Sequence, residues 1–361
     1  MASLDFQQQD LCNPEYLIRY YDRGGLAYDS PQNISNLKWG RKLDGISFAE
    51  ITYFISDDSC CDQLGSIEPI AHEVGIARNG KLVWYGWVLN VEYGRNHVRV
   101  EAFDALGWLK KRLVHNDLTF TGVELSQQFL SIWNDAMAPS PIRAEVITTP
   151  TGITETREIK AADNRIAWSP VQEMLDTGLD VTVYGQKVLA GVIYSTRSIE
   201  LSLADVEGDA TVTKLGNGYA NRVIVDADES VQAVYPPNQI SPAGNDLYPL
   251  AEEVIRDSQI QDVGTAEHAA KSRYEYSRRV PRIVDTSQAM VLHSNIDITV
   301  NELVPGVRVI FDTEGICYGT KYELRLSSVD VEVAESVERI SINLQPTGPR
   351  DALADSEGEI Q

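Results

Sequence analysis

The side chains best suited to metal binding or proton transfer at neutral pH are five histidines, namely His72, His97, His115, His268 and His293. None of them has a second histidine or a cysteine at metal-ligand spacing, and the H-E-x-x-H pattern of zinc peptidases does not occur. The sequence therefore predicts no metal site.

The cysteines are Cys12, Cys60, Cys61 and Cys317. They are too few and too irregularly spaced for a disulfide framework or a zinc knuckle. The adjacent pair at 60 and 61 leaves two interpretations open: a redox or metal role, or two small buried residues at the end of a strand. The second is favoured in a reducing compartment.

Other patterns for catalysis or cofactor binding are also weak. The segment LGNGYANR has two glycines but lacks the spacing and the Lys-Ser/Thr ending of a phosphate-binding loop. The acidic pairs Asp57-Asp58 and Glu252-Glu253 are read as solvated turn and helix faces rather than as glycosidase or peptidase carboxylates. We therefore predict no catalytic residue, no cofactor and no enzymatic activity.

The chain carries a formal net charge of −22. Residues 1–115 contribute 12 basic and 15 acidic residues, so −19 falls on the remainder. Because affinity for DNA comes largely from cations that displace condensed counterions, such a chain is not expected to bind nucleic acid. Two interpretations stay open, namely that the acidity repels passing DNA or that it serves solubility alone.

Length and composition indicate a globular protein of two to three domains. The chain has 361 residues, 43% hydrophobic and 23% charged. No apolar run approaches the roughly 18 residues of a membrane span, and the first residues do not form a secretion signal. We expect a protein that folds in the cytoplasm and does not cross a membrane.

The first part of the chain predicts antiparallel strands. Apolar and polar positions alternate over residues 14–57, and a strand meander with Asn-Gly and Gly-Arg-Asn turns follows over residues 76–103. The segment DALGWLKKRL then predicts a short helix on Leu106, Leu109 and Leu113. We predict an N-terminal arm over 1–13 and a barrel-like β-domain over 14–115.

Residues 116–205 predict an inserted α+β domain. One helix over 124–137 places five apolar residues on one face, and a second is predicted with Ser169 as N-cap, Pro170 in its first turn and Gly178 as its end. A cofactor role for Trp133 or Met174 is possible, but aromatic residues and methionines at helical spacing are usually core. Strands are predicted at DVTVYG, KVLAGVIYS and IELSLAD.

The remainder returns to β character. We predict a second barrel-like domain over 206–235 and 286–348, interrupted by a helical and loop insertion over 236–285 that includes helices at PLAEEVIRD and TAEHAAKSRYEYS. Residues 349–361 are acidic and rich in turn formers, and predict a flexible tail.

The two β-rich parts share a pattern. When Tyr85-Gly86 is set on Tyr318-Gly319, Val74 falls on Val307 and Val98 on Val331. This register predicts the same β-unit twice in the chain. A chance match is the alternative, because strands reuse few residue types.

The order of several segments resembles that of the minor tail proteins that form the baseplate hub of long-tailed bacteriophages, especially those of actinobacteria. The segments are NISNLKWGRKLDGISFAEITY, CCDQLGSIEPIAHEVGIARNGKLVWYGWV, VRVEAFDALGWLKKRL, GNGYANRVIV and ELVPGVRVIFD. The resemblance covers roughly residues 14–345. It implies a mainly β fold with two similar tail-tube-like barrel domains per chain, each with a smaller α+β lobe.

The same resemblance implies a structural protein of the virion. In that family the hub is a trimer below the distal tail protein ring, and it joins a sixfold tube to a threefold tip. The implied partners are that ring, the tape measure protein, tip or fibre proteins below, and DNA that passes through the lumen without specific binding. Because this chain ends soon after its second meander, the resemblance does not extend to host recognition or cell-wall digestion.

The predicted subunit interfaces use exposed aromatic residues, with Trp87, Trp84, Tyr85 and Tyr318 as candidates. Strand alternation places Trp84 and Trp87 on opposite faces, which favours Trp87 as an interface residue, whereas Trp84 and Tyr318 fit a barrel core as well. Two rival functions remain: a cell-wall hydrolase on a β scaffold, and a carbohydrate- or receptor-binding module of the tail tip.

Overall fold

The computed structural model describes residues 14–29, 34–55, 64–193, 198–208, 211–214, 216, 219–228, 231–237, 249–256, 260, 263–278, 282–285, 289–294, 296, 298–316, 321–334 and 337–346. Strands dominate these residues, which confirms the predicted mainly β class.

The strands in chain order are β1 (Tyr16–Tyr21), β2 (Ala27–Asp29), β3 (Ile34–Lys42), β4 (Phe48–Phe54), β5 (Glu73–Arg78), β6 (Lys81–Tyr93), β7 (His97–Phe103), β8 (Leu118–Glu124), β9 (Glu145–Thr148), β10 (Thr154–Ile159), β11 (Asp180–Tyr184), β12 (Lys187–Gly191), β13 (Ile199–Ser202), β14 (Val206–Glu207), β15 (Thr211–Lys214), β16 (Arg222–Asp228), β17 (Val231–Tyr235), β18 (Glu252–Arg256), β19 (Arg282–Asp285), β20 (Met290–Leu292), β21 (Arg308–Asp312), β22 (Lys321–Ala334) and β23 (Val337–Pro346). The α-helices are α1 (Leu125–Met137), α2 (Trp168–Thr177) and α3 (Val263–Ser277), and short 3-10 helices span Ala105–Lys110, Ala161–Asp163 and Leu203–Asp205.

One sheet of 13 strands organises the molecule. Its order is β14-β20-β23-β22-β3-β4-β7-β6-β5-β1-β2, and β21 pairs with both β22 and β13. The N-terminal and C-terminal parts of the chain join where β3 pairs with β22, from Asn36 opposite Ala334 to Lys42 opposite Ser328. The ladder does not close into a barrel among the described strands. The predicted pair of separate barrels is therefore not observed in this form.

The apolar face of this sheet encloses one core shared by both parts of the chain. Every second residue of β4 and β7 points into it, including Ile51, Tyr53, Val98 and Val100, as the alternation predicts. On the other side of the core, β21 and β22 contribute further apolar residues such as Phe311.

Side chains bridge the open side of the curved sheet. Arg78 on β5 donates two hydrogen bonds to Glu338 on β23, at 2.8 and 2.7 Å, and Tyr16 on β1 donates a third. The Arg78 and Glu338 side chains are only 7% and 10% exposed. This buried ion pair joins the two sides of the sheet around the core.

Lobe 1, residues 105–193, packs on the outer face of β6 and β7. It contains α1, α2, the β8·β10 pair and the β9·β12·β11 sheet. Its α1 buries the five predicted apolar residues, Leu125, Phe129, Ile132, Trp133 and Ala136, and Met174 is also buried.

The ends of α2 differ partly from the prediction. The helix begins at Trp168 after Ala167, so Ser169 lies inside its first turn and is not the N-cap. Gly178 ends the helix as predicted, with a φ of 123° that favours glycine.

Lobe 2 is formed by β16, β17, β18 and α3 around its own small core. The segment PLAEEVIRD, predicted as a helix, instead contains β18. Val254 pairs in parallel with Ile224 of β16, and the hydrogen bonds of this strand pair outweigh the local helix propensity. The strands over 222–235, predicted as part of the second barrel, belong to this lobe. The helix at TAEHAAKSRYEYS is confirmed as α3.

The two parts compared in the predicted repeat share the order and direction of three strands, but their residues do not align one to one. Both β5·β6·β7 and β21·β22·β23 are antiparallel three-stranded meanders. However, Val98 lies on the third strand of its meander, whereas Val331 lies on the second strand of the other. The segments between equivalent strands differ in length, so one constant offset does not align them.

Candidate interaction surfaces

The three predicted interface aromatics within the described residues lie in the interior. Trp84, Tyr85 and Trp87 are 2%, 3% and 3% exposed. As alternation predicts, Trp84 faces the main core while Trp87 faces the opposite side. They offer almost no surface to another subunit, which corrects their choice as exposed contacts. Tyr318 lies outside the described residues.

Trp87 instead packs the main sheet against lobe 1. Its ring meets Tyr85 and Trp108 edge-on, with centroids 5.9 Å apart in both cases, and lies 6.5 Å from Phe103. Edge-to-face aromatic pairs contribute about 0.5–1.5 kcal/mol beyond area burial. The interface that Trp87 forms is thus internal to the chain.

Buried polar contacts fix lobe 1 to the sheet. Arg325 on β22 donates two hydrogen bonds to Asp180 on β11, at 3.2 and 2.5 Å. Asp44 exchanges hydrogen bonds with the backbone of Val181 at 2.7 and 2.8 Å. At another point of the junction Arg143 donates to Glu73 at 2.9 Å. Lobe 1 and the sheet therefore form one continuous unit.

Arg41 is a buried cation at the meeting point of three segments. Its guanidinium donates to the carbonyl oxygens of Val83, Val300 and Leu303 at 2.8–3.0 Å. It also lies 4.4 Å from the centre of the Tyr184 ring of lobe 1. Burial lowers its pKa to about 10, so the group stays charged at neutral pH.

Asp104 is a buried carboxyl group between the sheet and lobe 1. It caps the 3-10 helix through Leu106 N, and accepts from Ser47 N at 2.8 Å and Ser47 Oγ at 2.6 Å. Burial raises its pKa to about 6, although these hydrogen bonds oppose the shift.

The outward face of the main sheet carries a cross-strand charge pattern. We call it the polar face and define it by charged and polar outward residues of β3, β4, β6, β7, β22 and β23, which are Lys38, Lys42, Glu50, Thr52, Asn90, Glu92, Arg99, Glu101, Asp330, Glu332, Arg339 and Ser341. The exposed side chains of Phe48 and Phe54 lie on the same side of β4. Glu50 and Glu101 face each other with like charge, and Arg99 lies near both. Elsewhere opposite charges face each other in the register, as with Glu332 between Arg339 and Lys38. Such pairs stabilise neighbouring strands by a few tenths of a kcal/mol to about 1 kcal/mol each.

Arg99 and Lys38 are the centres of the ion pairs on the polar face. Arg99 lies 2.6 Å from Glu50, 2.9 Å from Glu101 and 3.8 Å from Glu92. Lys38 lies 2.9 Å from Glu332. All these side chains are about one-third to two-thirds exposed, so the pattern faces solvent.

A shallow pocket of about 280 Å³ opens on the polar face between Lys38, Phe48, Asp330 and Arg339. Phe48 is 56% exposed. Gly40 lies nearby, and a Cβ there would stand 2.7 Å from Asp330 Oδ1 and 2.9 Å from Val329 O. Glycine therefore permits the close approach of β3 and β22 at this point.

The architecture matches solved phage tail proteins across almost its whole length. The tail protein from Neisseria meningitidis MC58 is 13% identical, covers 93% of this chain and 99% of its own, and has a TM-score of 0.62. The 43 kDa tail protein of prophage MuSo2 from Shewanella oneidensis is also 13% identical, with 92% and 98% covered and a TM-score of 0.59. The fold is that of phage tail proteins.

A third similar structure comes from a secretion machine. It is an E. coli component of the type VI secretion system that itself exhibits structural similarity to the T4 bacteriophage tail proteins gp27 and gp5. It is 10% identical, with 92% of this chain and 77% of its own covered and a TM-score of 0.53. No family model matches the sequence, and no curated protein matches it.

Neither a metal centre nor a membrane helix is found in the described part of the chain. No group of three or more His, Cys, Asp or Glu residues there could hold a metal ion. No helix among the same residues is long and apolar enough to span a membrane.

The polar face was not predicted from the sequence patterns. Its signal is present, because Lys38, Glu50 and Arg99 occupy the polar positions of alternating strands. Which charges become neighbours depends on the pairing of distant strands.

Proposed function

We propose that this chain is the tail hub, or minor tail protein, at the distal end of a siphophage tail, of the type found in phages of actinobacteria. The observation that carries the proposal is the match of the fold to phage tail proteins over nearly the full length of both chains. The similarity printed for the secretion-system component, to tail proteins gp27 and gp5, favours the same kind of assembly.

In this proposal three chains close a pseudo-sixfold ring. Two features support it. Each chain contributes two three-stranded meanders, which would give six similar units per trimer. The edge strands of the main sheet, β2, β13 and β14, each pair on one side only among the described strands. A heterologous contact that repeats around a closed axis generates a ring.

The proposed ring has a structural role in the virion. It joins the distal tail protein ring above to tip or fibre proteins below, and its lumen passes the tape measure protein and then DNA. We propose no enzymatic activity. The subunits are made in the host cytoplasm and end in the tail tip.

The proposal is tested by mixing the purified chain with the distal tail protein of the same phage and separating complexes by size. A hub is expected to form a stable complex with that ring and not to bind host cells as the isolated protein. Binding to host cells without any complex with the ring would overturn the hub and favour the carbohydrate- or receptor-binding module.

A further inference from the structure

We propose that a basic patch on lobe 1 binds the acidic C-terminal part of a second copy of this chain. The basic patch consists of the run Lys110-Lys111-Arg112, of Arg23 from the turn between β1 and β2, and of the exposed side chains of Leu113 and Ile166. The inference rests on the proposed function, because it names a surface through which neighbouring chains of the ring meet.

Aromatic rings position the cations of the run. Each cation lies over one ring: Lys110 over Trp168 at 5.5 Å, Lys111 over Phe103 at 5.7 Å and Arg112 over Trp108 at 4.9 Å from the ring centre. A ring attracts a cation through its quadrupole but carries no net charge. The positive charges are therefore held in place without being neutralised.

No ion pair neutralises the basic patch within the described part of the chain. Neither the run nor Arg23 lies within ion-pair distance of a described carboxylate. Asp135, which lies close by, accepts hydrogen bonds from His115 N and Asn116 Nδ2 instead. Burial and the positive charge of Arg23 lower the pKa of Arg112, so these two cations repel each other. A carboxylate from a partner would relieve this repulsion.

Two exposed apolar side chains accompany the cations. Leu113 and Ile166 are 38% and 45% exposed and are partners in an isolated β-bridge. Apolar side chains gain free energy when they are buried against other apolar groups, which a phosphate backbone does not offer. Apolar contacts surrounded by polar and charged ones are typical of protein interfaces. The basic patch therefore fits a protein surface that carries carboxylates better than it fits a polyanion such as DNA.

The C-terminal part of this chain supplies such a surface. Residues 194–361 contain 14 basic and 28 acidic residues, a net charge of −14, whereas residues 1–115 carry −3. Its exposed carboxylates include Glu200 on β13 and Glu207 on β14, which are edge strands of the main sheet. A contact from the basic patch of one copy to this part of the next is heterologous. Contacts of that kind close a ring when the rotation between copies allows it.

The contact is tested by zero-length cross-linking, in which a carbodiimide joins an amine to a carboxylate. Equal amounts of unlabelled and 15N-labelled protein are mixed, assembled with the distal tail protein ring, and cross-linked. Mass spectrometry is expected to find Lys110 or Lys111 joined to a carboxylate of residues 198–346 in peptide pairs of mixed isotope content. Only a link between two copies gives such a pair.

A charge reversal tests whether the contact contributes to assembly. The patch variant combines Lys110→Glu and Lys111→Glu, and its matched control combines Lys81→Glu and Lys187→Glu, two exposed lysines outside the basic patch. Both variants have the same net charge. Because like charges across an interface disfavour binding, the patch variant should need at least about 10-fold more protein than the control to form the three-chain species in light scattering.

Two results would overturn the inference and leave the hub intact. One is a three-chain species in which neither lysine is linked to another copy. The other is a patch variant with wild-type circular dichroism that assembles as readily as the control. If the patch variant does not fold, Lys110→Gln with Lys111→Gln takes its place, with a smaller loss expected. Binding of a labelled DNA duplex that depends on these lysines, without the cross-link, would assign the basic patch to a polyanion instead. Failure to form any three-chain species would overturn the proposed trimer as well.

Discussion

Arg41 is a buried polar side chain whose removal should destabilise this fold. The variant Arg41→Met keeps the length of the side chain and removes the guanidinium. It leaves the carbonyl oxygens of Val83, Val300 and Leu303 without the donor that serves them in the folded chain. These carbonyls come from β6 and from the turn before β21, so the loss affects contacts between distant parts of the chain.

The expected magnitude is a difference between two opposing terms. Hydrogen bonds from a charged donor contribute about 2 kcal/mol each, so three contribute about 6 kcal/mol. Burial of the charge opposes this, because the pKa falls from 12.5 to about 10, and at about 1.4 kcal/mol per pKa unit the cost is about 3 kcal/mol. We expect Arg41→Met to lower the free energy of unfolding by about 3 kcal/mol.

The assay is urea unfolding at pH 7, followed by tryptophan fluorescence and circular dichroism. The matched control is Lys38→Met on the same strand, which removes only a half-exposed ion pair and should cost less than about 1 kcal/mol. An Arg41→Met protein within about 0.5 kcal/mol of the wild type would refute the reasoning, since exposed sites already vary by that much.

Three further predictions concern the junction of lobe 1 with the sheet. The folded state raises the pKa of Asp104 from 3.8 to about 6, so the folded protein holds this proton more tightly than the unfolded chain, and about 3 kcal/mol of stability is lost as pH rises between these two values. The variant Asp104→Asn should remove this pH-dependent loss, measured by urea unfolding at pH 4 and pH 7. An unchanged pH dependence of the free energy of unfolding would contradict the prediction. The variant Trp87→Ala should lower the free energy of unfolding by about 3–5 kcal/mol, because it opens a cavity. The control Phe48→Ala, at an exposed site, should lower it by less than about 1 kcal/mol. Equal melting temperatures for the two variants would argue against the internal role of Trp87. Replacing either Asp180 or Arg325 alone with alanine should lower the free energy of unfolding by about 3–5 kcal/mol, because the partner is left as an unpaired buried charge. Replacing both should cost less than the sum of the two single losses. Additive losses in this double-mutant cycle would show that the two side chains do not interact.

Local sequence patterns predicted most elements because those elements bury one face. Alternation in residues 48–54 and 97–103 identified β4 and β7, and the apolar spacing of 124–137 identified α1. The segment at Glu252–Arg256 was predicted wrongly because its helix formers are overridden by pairing with β16.

The long-range arrangement could not be read from local patterns. The pairing of β3 with β22 joins segments almost 300 residues apart, and it merges the predicted barrels into one sheet. Alternation correctly predicts Trp87 on the face opposite Trp84, but no local pattern indicates that lobe 1 covers that face. In the same way, Lys38 is visibly an outward residue, whereas its partner Glu332 follows only from the register.

The most direct test of the proposed hub is the mass of the purified protein in solution by light scattering. The chain has a mass of 40.1 kDa, and the hub predicts a species of three chains, alone or once the distal tail protein ring is added. Negative-stain images of that species should show a ring with six similar lobes. A monomer that persists at every protein concentration and in the presence of the distal tail ring would contradict the trimeric hub.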